Sequence, residues 1–405
     1  MINKLEVDGF KSLKNFSIDF KRGLNVLIGP NGVGKTNICQ AISLLHSLTT
    51  NSLFETFTQF GGVQSIFNIV ENLEEKKYLK IVVFGETEGS LDSDKEGYIL
   101  KFEYKIVLKL TDELLFDYEE LIIRRKTKKN NYKTVIKIVQ NSKNEVKVEI
   151  KDSDLIGHYN VIKKGEKNFT IKLQDQESFL PLMGRLFFSC HLILKEFSKI
   201  KSLNIDPNVA RNSCDITEPH EMLGNGRYLA NTVYFLNKKG EDLSEINSLL
   251  EQLIPNYKEL CPKISEISRK RYFTINDDNG NSFPSNSLSD GTIKLLALLV
   301  GIISQNERTT IIEEPENYLH PYANKLLISY LRETYDDGIC ILTSHSETIL
   351  NLIKPEELII CELENSFTKS SRIENVKEVA KIIEESGFGC GYHYISGNLG
   401  GVPKF

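Results

Sequence analysis

Eight consecutive residues, Gly29-Pro30-Asn31-Gly32-Val33-Gly34-Lys35-Thr36, match the pattern GxxxxGK[ST] in full. The glycines let the backbone curl until several N–H groups face one anion. A helix starting directly after them adds the positive end of its dipole. In such a loop Lys35 reaches the outer phosphates of a nucleotide and the Thr36 hydroxyl ligates Mg2+. Two later segments end in groups that suit the same chemistry. Thr309-Thr310-Ile311-Ile312-Glu313-Glu314-Pro315 is an apolar run closed by two carboxylates. Neighbouring side chains at a strand's end diverge, so the two acids can take different tasks. Glu313 suits a metal, directly or through water, and Glu314 suits orienting and deprotonating a water. Ile341-Leu342-Thr343-Ser344-His345 is a second apolar run, and His345 at its end suits a hydrogen bond to a terminal phosphate. An acid pair at a strand end is usually solvated surface, and a single histidine is usually structural. The phosphate loop upstream, in this chain order, is what gives the three a common purpose.

Leu288-Ser289-Asp290-Gly291-Thr292 precedes an apolar helix, Ile293–Ile303, and forms another anion nest at a helix start. One chain does not need two nests for one nucleotide. A two-fold dimer does, with the serine loop of one subunit capping the phosphate held by the other.

The elements that must position these residues can be read from periodicity. Ile2–Val7 and Phe16–Phe20 alternate as short strands, and Leu24–Ile28 is a mostly apolar strand feeding the glycine loop. A helix is expected from Thr36 to about Leu48. From about Lys77 to Leu173 the period is two, with strands at Tyr98–Leu110, Leu121–Arg125, Thr134–Val139, Glu145–Ile150 and Asn168–Leu173. Helical spacing is expected from Leu180 to about Lys270, for instance at Leu249, Leu250, Leu253 and Ile254. The final 120 residues return to α/β order, with parallel-type strands at Thr309–Ile312 and Ile339–Leu342, a helix near Ala323–Thr334 and a strand at Leu358–Cys361. The two ends of the chain are therefore expected to share one sheet, with the middle inserted.

Composition limits the alternatives. The 405 residues are 40% hydrophobic and 26% charged, which is ordinary for a folded globular protein. Net charge is −5, so any nucleic-acid contact must be a local patch. Candidates are Arg124, Arg125 and Lys126 with Lys128 and Lys129, the Lys163–Lys167 loop, and Arg269-Lys270-Arg271. The longest apolar runs fall short of the roughly 20 residues that span a bilayer. Seven scattered cysteines and no signal-peptide layout suggest reduced thiols and a cytoplasmic location.

Taken together the motifs resemble the ABC-class P-loop ATPases, in particular the RecF/SMC/OLD-like branch. Val7–Ser12 resembles its N-terminal GFKS element, Gly29–Asn37 its Walker A, and Leu288–Thr292 its signature loop, as LSDGT rather than LSGGQ. Ile312–Pro321 resembles its Walker B with D-loop, and Thr343–Ser346 its switch histidine. Gly224–Ala230 resembles a helical-lobe segment, and Gly387–Pro403 a C-terminal tail.

The resemblance implies an α/β ABC-type ATPase head with a mixed central sheet. An antiparallel β lobe and a helical lobe are inserted between Walker A and the signature motif. The expected division is 1–70 and 271–405 for the nucleotide-binding core, 71–179 for the β lobe and 180–270 for the helical lobe. The resemblance also implies ATP and Mg2+ as cofactors. It implies Lys11, Asn31, Gly32, Val33, Gly34, Lys35, Thr36 and Asn37 around the nucleotide, and Thr36 and Glu313 on the metal. Glu314 would be the base, His345 the phosphate sensor, and Ser289, Asp290 and Gly291 would act on the partner's nucleotide. Most cassettes have Asp at the position of Glu313, and the longer arm suggests contact through water. The Q-loop glutamine is unassigned, with Gln140, Gln174 and Gln176 as candidates.

OLD-type nucleases carry a TOPRIM domain after the ATPase, and only 60 residues follow His345. The implied role is an ATPase without its own nuclease, forming a homodimer or higher oligomer and controlling a separate effector. Standalone ATPases of the Septu and PARIS antiphage systems are similar. A DNA-binding repair ATPase like RecF is the alternative. The ATPase of a membrane transporter and a self-contained nuclease using Asp277-Asp278 or Asp336-Asp337 fit the residues less well.

Overall fold

In the computed structural model, residues 1–67, 77–89, 98–127, 131–152, 167–173, 177–238, 243–304 and 308–399 are described. The first nine strands are β1 (Ile2–Asp8), β2 (Phe16–Asp19), β3 (Gly23–Ile28), β4 (Lys77–Gly89), β5 (Tyr98–Leu110), β6 (Leu114–Lys126), β7 (Tyr132–Asn141), β8 (Glu145–Ile150) and β9 (Asn168–Lys172). The next nine are β10 (Ile200–Leu203), β11 (Cys214–Asp215), β12 (Tyr257–Ile264), β13 (Lys270–Asp277), β14 (Ser282–Pro284), β15 (Thr309–Glu313), β16 (Ile339–Thr343), β17 (Leu358–Glu364) and β18 (Phe367–Arg372).

The sheet that carries the chemistry has the order β10-β15-β16-β3-β17-β18. Its pairings are parallel except for the closing β17–β18 hairpin. β3, β15 and β16 are buried along nearly their whole length, which is why they read as continuous apolar runs rather than alternating ones. Helices Lys35–Thr50, Asp290–Ile303 and Pro321–Thr334 each bury an apolar stripe against the two cores that flank this sheet. The register fixes the site. Glu313 pairs with Thr343, and Thr343 pairs with Leu27, so the carboxyl ends of three neighbouring strands finish level with one another. Ligands bind at such ends in open α/β sheets.

The second sheet is antiparallel and has the order β2-β1-β4-β5-β6-β7-β8-β9. β5 alternates buried and half-exposed residues, as expected for a sheet with one face against the core. That face packs on Leu180–Leu186, Phe188–Ser198 and the Lys35–Thr50 helix. At this boundary the Glu119 carboxylate is completely buried. It accepts from the Tyr104 hydroxyl, from Ser178 Oγ at 2.6 Å and from the Phe179 N–H at 2.9 Å.

The third sheet has the order β11-β13-β12, with β14 on β13, and corrects the purely helical reading of 180–270. Helices do occupy Phe188–Ser198, Leu229–Lys238 and Ser244–Glu251. Pro255 and then Asn256, at φ 57°, break the helical run, and β12 follows directly. β10, also in this segment, is a strand because it pairs in register with β15. All seven cysteines are free thiols. Among the described residues no helix is long and apolar enough to cross a membrane.

Candidate functional site

The glycine loop connects β3 to the Lys35–Thr50 helix. Gly34 is the N-cap at φ 97°, and the first turn carries no acid, so the positive helix end is left for an anion. Asn31, Gly32 and Thr36 are exposed, while the Val33 side chain is buried. The Lys35 ammonium donates to the Gly29 and Pro30 carbonyls at 2.7 and 2.9 Å, folded back over its own loop. Burial lowers its pKa, while Cys361 and Glu314 oppose the shift. Asn37 Nδ2 donates to Ser12 Oγ at 2.7 Å, which joins the helix to the segment after β1. Lys11 in that segment has φ 47° and donates to Gln40 Oε1 at 2.5 Å.

Glu313 ends β15 with its carboxyl largely buried. Burial raises its pKa, a hydrogen bond from the Thr36 hydroxyl lowers it, and the Glu314 charge raises it. Two hard oxygen donors side by side at a phosphate loop fit Mg2+, which takes one or two protein oxygens and fills the rest of its shell from phosphate and water. Glu314 turns away at φ 44°, with its side chain 44% exposed. Its N–H donates to the Thr343 carbonyl at 3.1 Å, and Asn317 Nδ2 donates to its Oε2 at 2.9 Å. His345 Nε2 is 3.4 Å from Glu314 Oε1. Burial first, then Lys35, lowers the His345 pKa against Glu314 and Glu316, which favours the neutral imidazole. The structure thus brings Lys35, Thr36, Glu313, Glu314 and His345 to one end of one sheet.

Ser289, Asp290 and Gly291 make their contacts with Thr292, Arg211 and the turn at Tyr318. Ser289 caps the Asp290–Ile303 helix, accepting from the Thr292 N–H at 3.1 Å. Asp290 is ion-paired with Arg211, which also donates to the Leu288 carbonyl at 3.2 Å. A Cβ on Gly291 would lie 2.5 Å from the Tyr318 carbonyl oxygen, so the serine loop rests directly on the turn after Glu314.

Arg211, Ser12, Thr368, Gln40, Lys294 and Glu316 were not singled out from sequence for this site. Ser12 and Glu316 lie within the quoted GFKS and Walker B segments without a role of their own, and Lys294 stood out as a cation at the head of a solid apolar run. Of the Q-loop candidates, Gln140 is buried with Nε2 on the Glu177 carbonyl at 3.4 Å, and Gln174 and Gln176 lie outside the described residues. Of the basic residues, Arg124 pairs with Glu103 at 3.3 Å and Arg125 lies over the Tyr98 ring. Arg271 is buried against Tyr234 and Phe235. Lys128, Lys129, residues 163–166 of the lysine loop and the last residues of the tail lie outside the described residues. Asp277 closes a turn through the N–H groups of Asn279 and Asn281, and Asp337 pairs with Arg22.

The AAA ATPase domain matches residues 1–350. The chain is 20% identical over 370 residues to an ATP/GTP phosphatase of Helicobacter pylori, covering 87% of each protein. It is 31% identical over 70 residues to the DNA double-strand break repair Rad50 ATPase of Methanopyrus kandleri, covering 17% of this chain and 8% of that protein. It is 35% identical over 60 residues to the Septu protein PtuA of Bacillus thuringiensis, covering 15% of each. The chain therefore matches only a small part of the length of the last two. Among solved structures, an SMC head bound to the C-winged helix domain of ScpA superposes with a TM-score of 0.53. The identity is 14%, and the match covers 93% of this chain and 99% of that one. That likeness is one of fold.

Proposed function

Because the chain belongs to the AAA ATPase domain family, as an ATPase of the SMC/RecF class with an SMC-type head, we propose that it is a switch that closes as a dimer around Mg-ATP. In this reading the closed state controls a separate effector, a nuclease or toxin, in antiphage defence. One observation carries the dimer. The phosphate loop, acids and histidine converge at one end of the sheet, while the serine loop keeps its contacts on Arg211, Thr292 and the 318 turn. Two half-sites of complementary chemistry in one chain are completed by a second copy. The Septu likeness supports the defence role.

The residue roles follow from the chemistry. Lys35 leaves the Gly29 and Pro30 carbonyls for the outer phosphates, joined by the loop N–H groups of residues 31–37, with Lys11 and Asn37 at the rim. Thr36 and Glu313 hold Mg2+, which supplies charge neutralisation on the phosphates when bound. Glu314 orients the water and takes its proton, and neutral His345 donates to the terminal phosphate. Ser289, Asp290 and Gly291 meet the partner's nucleotide.

E314Q keeps the side-chain shape and removes the base. It is expected to bind ATP normally, to lose turnover by about 10²-fold or more, and to accumulate as an ATP-bound dimer. K35A is expected to lose nucleotide binding. Mass photometry of E314Q with and without Mg-ATP, alone and co-expressed with neighbouring gene products, tests the reading. A species that stays monomeric throughout refutes the dimer switch.

A further inference from the structure

From Ile293 to its end at Ile303, the helix that starts at the serine loop is apolar except for one residue. Between Ile293 and Ile302 every residue is buried, and Lys294 among them is only 2% exposed. Burying an ammonium is costly unless it is compensated. Lys294 Nζ donates to the Glu314 carbonyl at 2.8 Å and lies over the Tyr318 ring, 5.9 Å from its centre. Glu314 is a non-glycine residue at φ 44°, a sparsely populated conformation that persists only where its surroundings impose it. Its N–H is held by Thr343, on the strand that leads to His345, and its carbonyl by Lys294, on the helix that begins at Ser289. The peptide groups on both sides of the residue are thus pinned from different elements.

Glu316 lies two residues further on. Its Oε1 accepts from Ser344 Oγ at 2.7 Å and from the His345 N–H at 3.0 Å. Its Oε2 is buried and has no hydrogen-bond partner among the described residues. Lys294 has three donors, and the Glu316 charge, then the Glu314 charge, oppose the fall in its pKa that burial causes. One cation and one carboxylate therefore link the serine helix, the acid turn and the histidine turn within a single subunit.

We propose that Lys294 and Glu316 are positioning residues for hydrolysis: Lys294 sets the backbone of Glu314, and Glu316 sets the turn that carries His345. The proposal rests on the assignment of Glu314 as base and His345 as phosphate contact. Neither residue touches the nucleotide in it.

The test compares K294M, K294R, E316A and E316Q with wild type and E314Q, on the full chain. Turnover and ATP affinity are measured separately, with a fluorescent ATP analogue for binding. K294M and E316A should lower kcat about 10- to 100-fold, the range that a displacement of about 1 Å produces, with Kd changed less than about twofold. K294R restores a cationic donor, and E316Q restores the acceptor for Ser344 and His345; each should recover at least about a third of the lost rate. If K294M does not fold, E316A against E316Q makes the same comparison. The proposal is overturned if K294M and E316A turn over at the wild-type rate. It is also overturned if kcat and ATP affinity fall in parallel, or if the conservative variants recover nothing. E314Q separates the two levels: an inactive E314Q beside fully active K294M and E316A sinks this inference alone, whereas a fully active E314Q sinks the base assignment on which it stands.

Discussion

The Thr368 hydroxyl donates to the Val33 carbonyl at 2.8 Å, so a strand near the end of the chain holds the phosphate loop near its beginning. With that direction fixed, the 2.6 Å contact between Ser12 and Thr368 runs from Ser12, and Ser12 in turn accepts from Asn37. The relay Asn37 to Ser12 to Thr368 to Val33 closes a ring around the loop. T368V breaks it and leaves a buried carbonyl unsatisfied, at a cost of about 1–3 kcal/mol. We expect a matching loss in denaturant unfolding and weaker ATP binding, with T368S close to wild type. Equal behaviour of T368V and T368S would show that the hydroxyl is idle.

Two glycines of the loop should respond differently to alanine. A Cβ on Gly34 would come within 2.1 Å of Thr368 Oγ1 and 2.6 Å of Ser12 Oγ, at φ 97°. Gly32 is also left-handed, at φ 80°, but has no neighbour within 4 Å. Without nucleotide, G32A should cost only the conformational strain, about 1–2 kcal/mol, whereas G34A should also disrupt the ring around the loop. Thermal unfolding of the two variants without ATP decides it, and a G34A no worse than G32A argues against the close packing.

Asp290 puts a carboxylate where the proposed dimer receives a phosphate. Arg211 answers it in the free subunit. R211A should weaken ATP-driven association of E314Q about tenfold, and R211A/D290N should regain most of it, because the repulsion is then gone. Mass photometry over a concentration series reads both. Association of R211A at the parental level would remove the ion pair from the account.

Glu119 supplies a pH dependence. Burial raises its carboxyl from the usual 4.5 to about 7, against the hydrogen bonds from Ser178, Tyr104 and Phe179. The folded chain therefore keeps a proton that the unfolded chain has released. Stability from this group is complete below pH 4.5 and is lost as pH rises through 7, by about 3 kcal/mol in all. Urea unfolding at pH 5 and pH 8 should show wild type losing more stability across that range than E119Q. Parallel curves would show that Glu119 does not titrate there.

The phosphate loop, the acid pair and His345 were legible in sequence because each closes an apolar run, and parallel strands buried on both faces must be such runs. β5 and β8 were legible from alternation, and their ends agree with the reading. β10 was not, because Ile200–Leu203 is short and becomes a strand only through its register with β15. Thr368, and the bond that Ser12 of the GFKS element makes to it, were not legible for a related reason. A hydroxyl has no periodicity, and its partner here is 356 residues away. Lys294 was the reverse case. It stood in plain view beside an apolar run, but its meaning needed the Glu314 carbonyl next to it.

β1 belongs to the antiparallel sheet, yet it runs straight into residues 9–12, where the Lys11 N–H is tied to the Ile66 carbonyl and Ser12 to Asn37. β9 lies six places along that sheet from β1, roughly 30 Å at about 4.8 Å per strand. A tilt of about 5° at β1 therefore sweeps the far strand through roughly 2–3 Å. In mechanical terms the sheet is a lever whose fulcrum stands beside the phosphate loop, and a load applied to the outer strands works on that loop with the whole arm behind it.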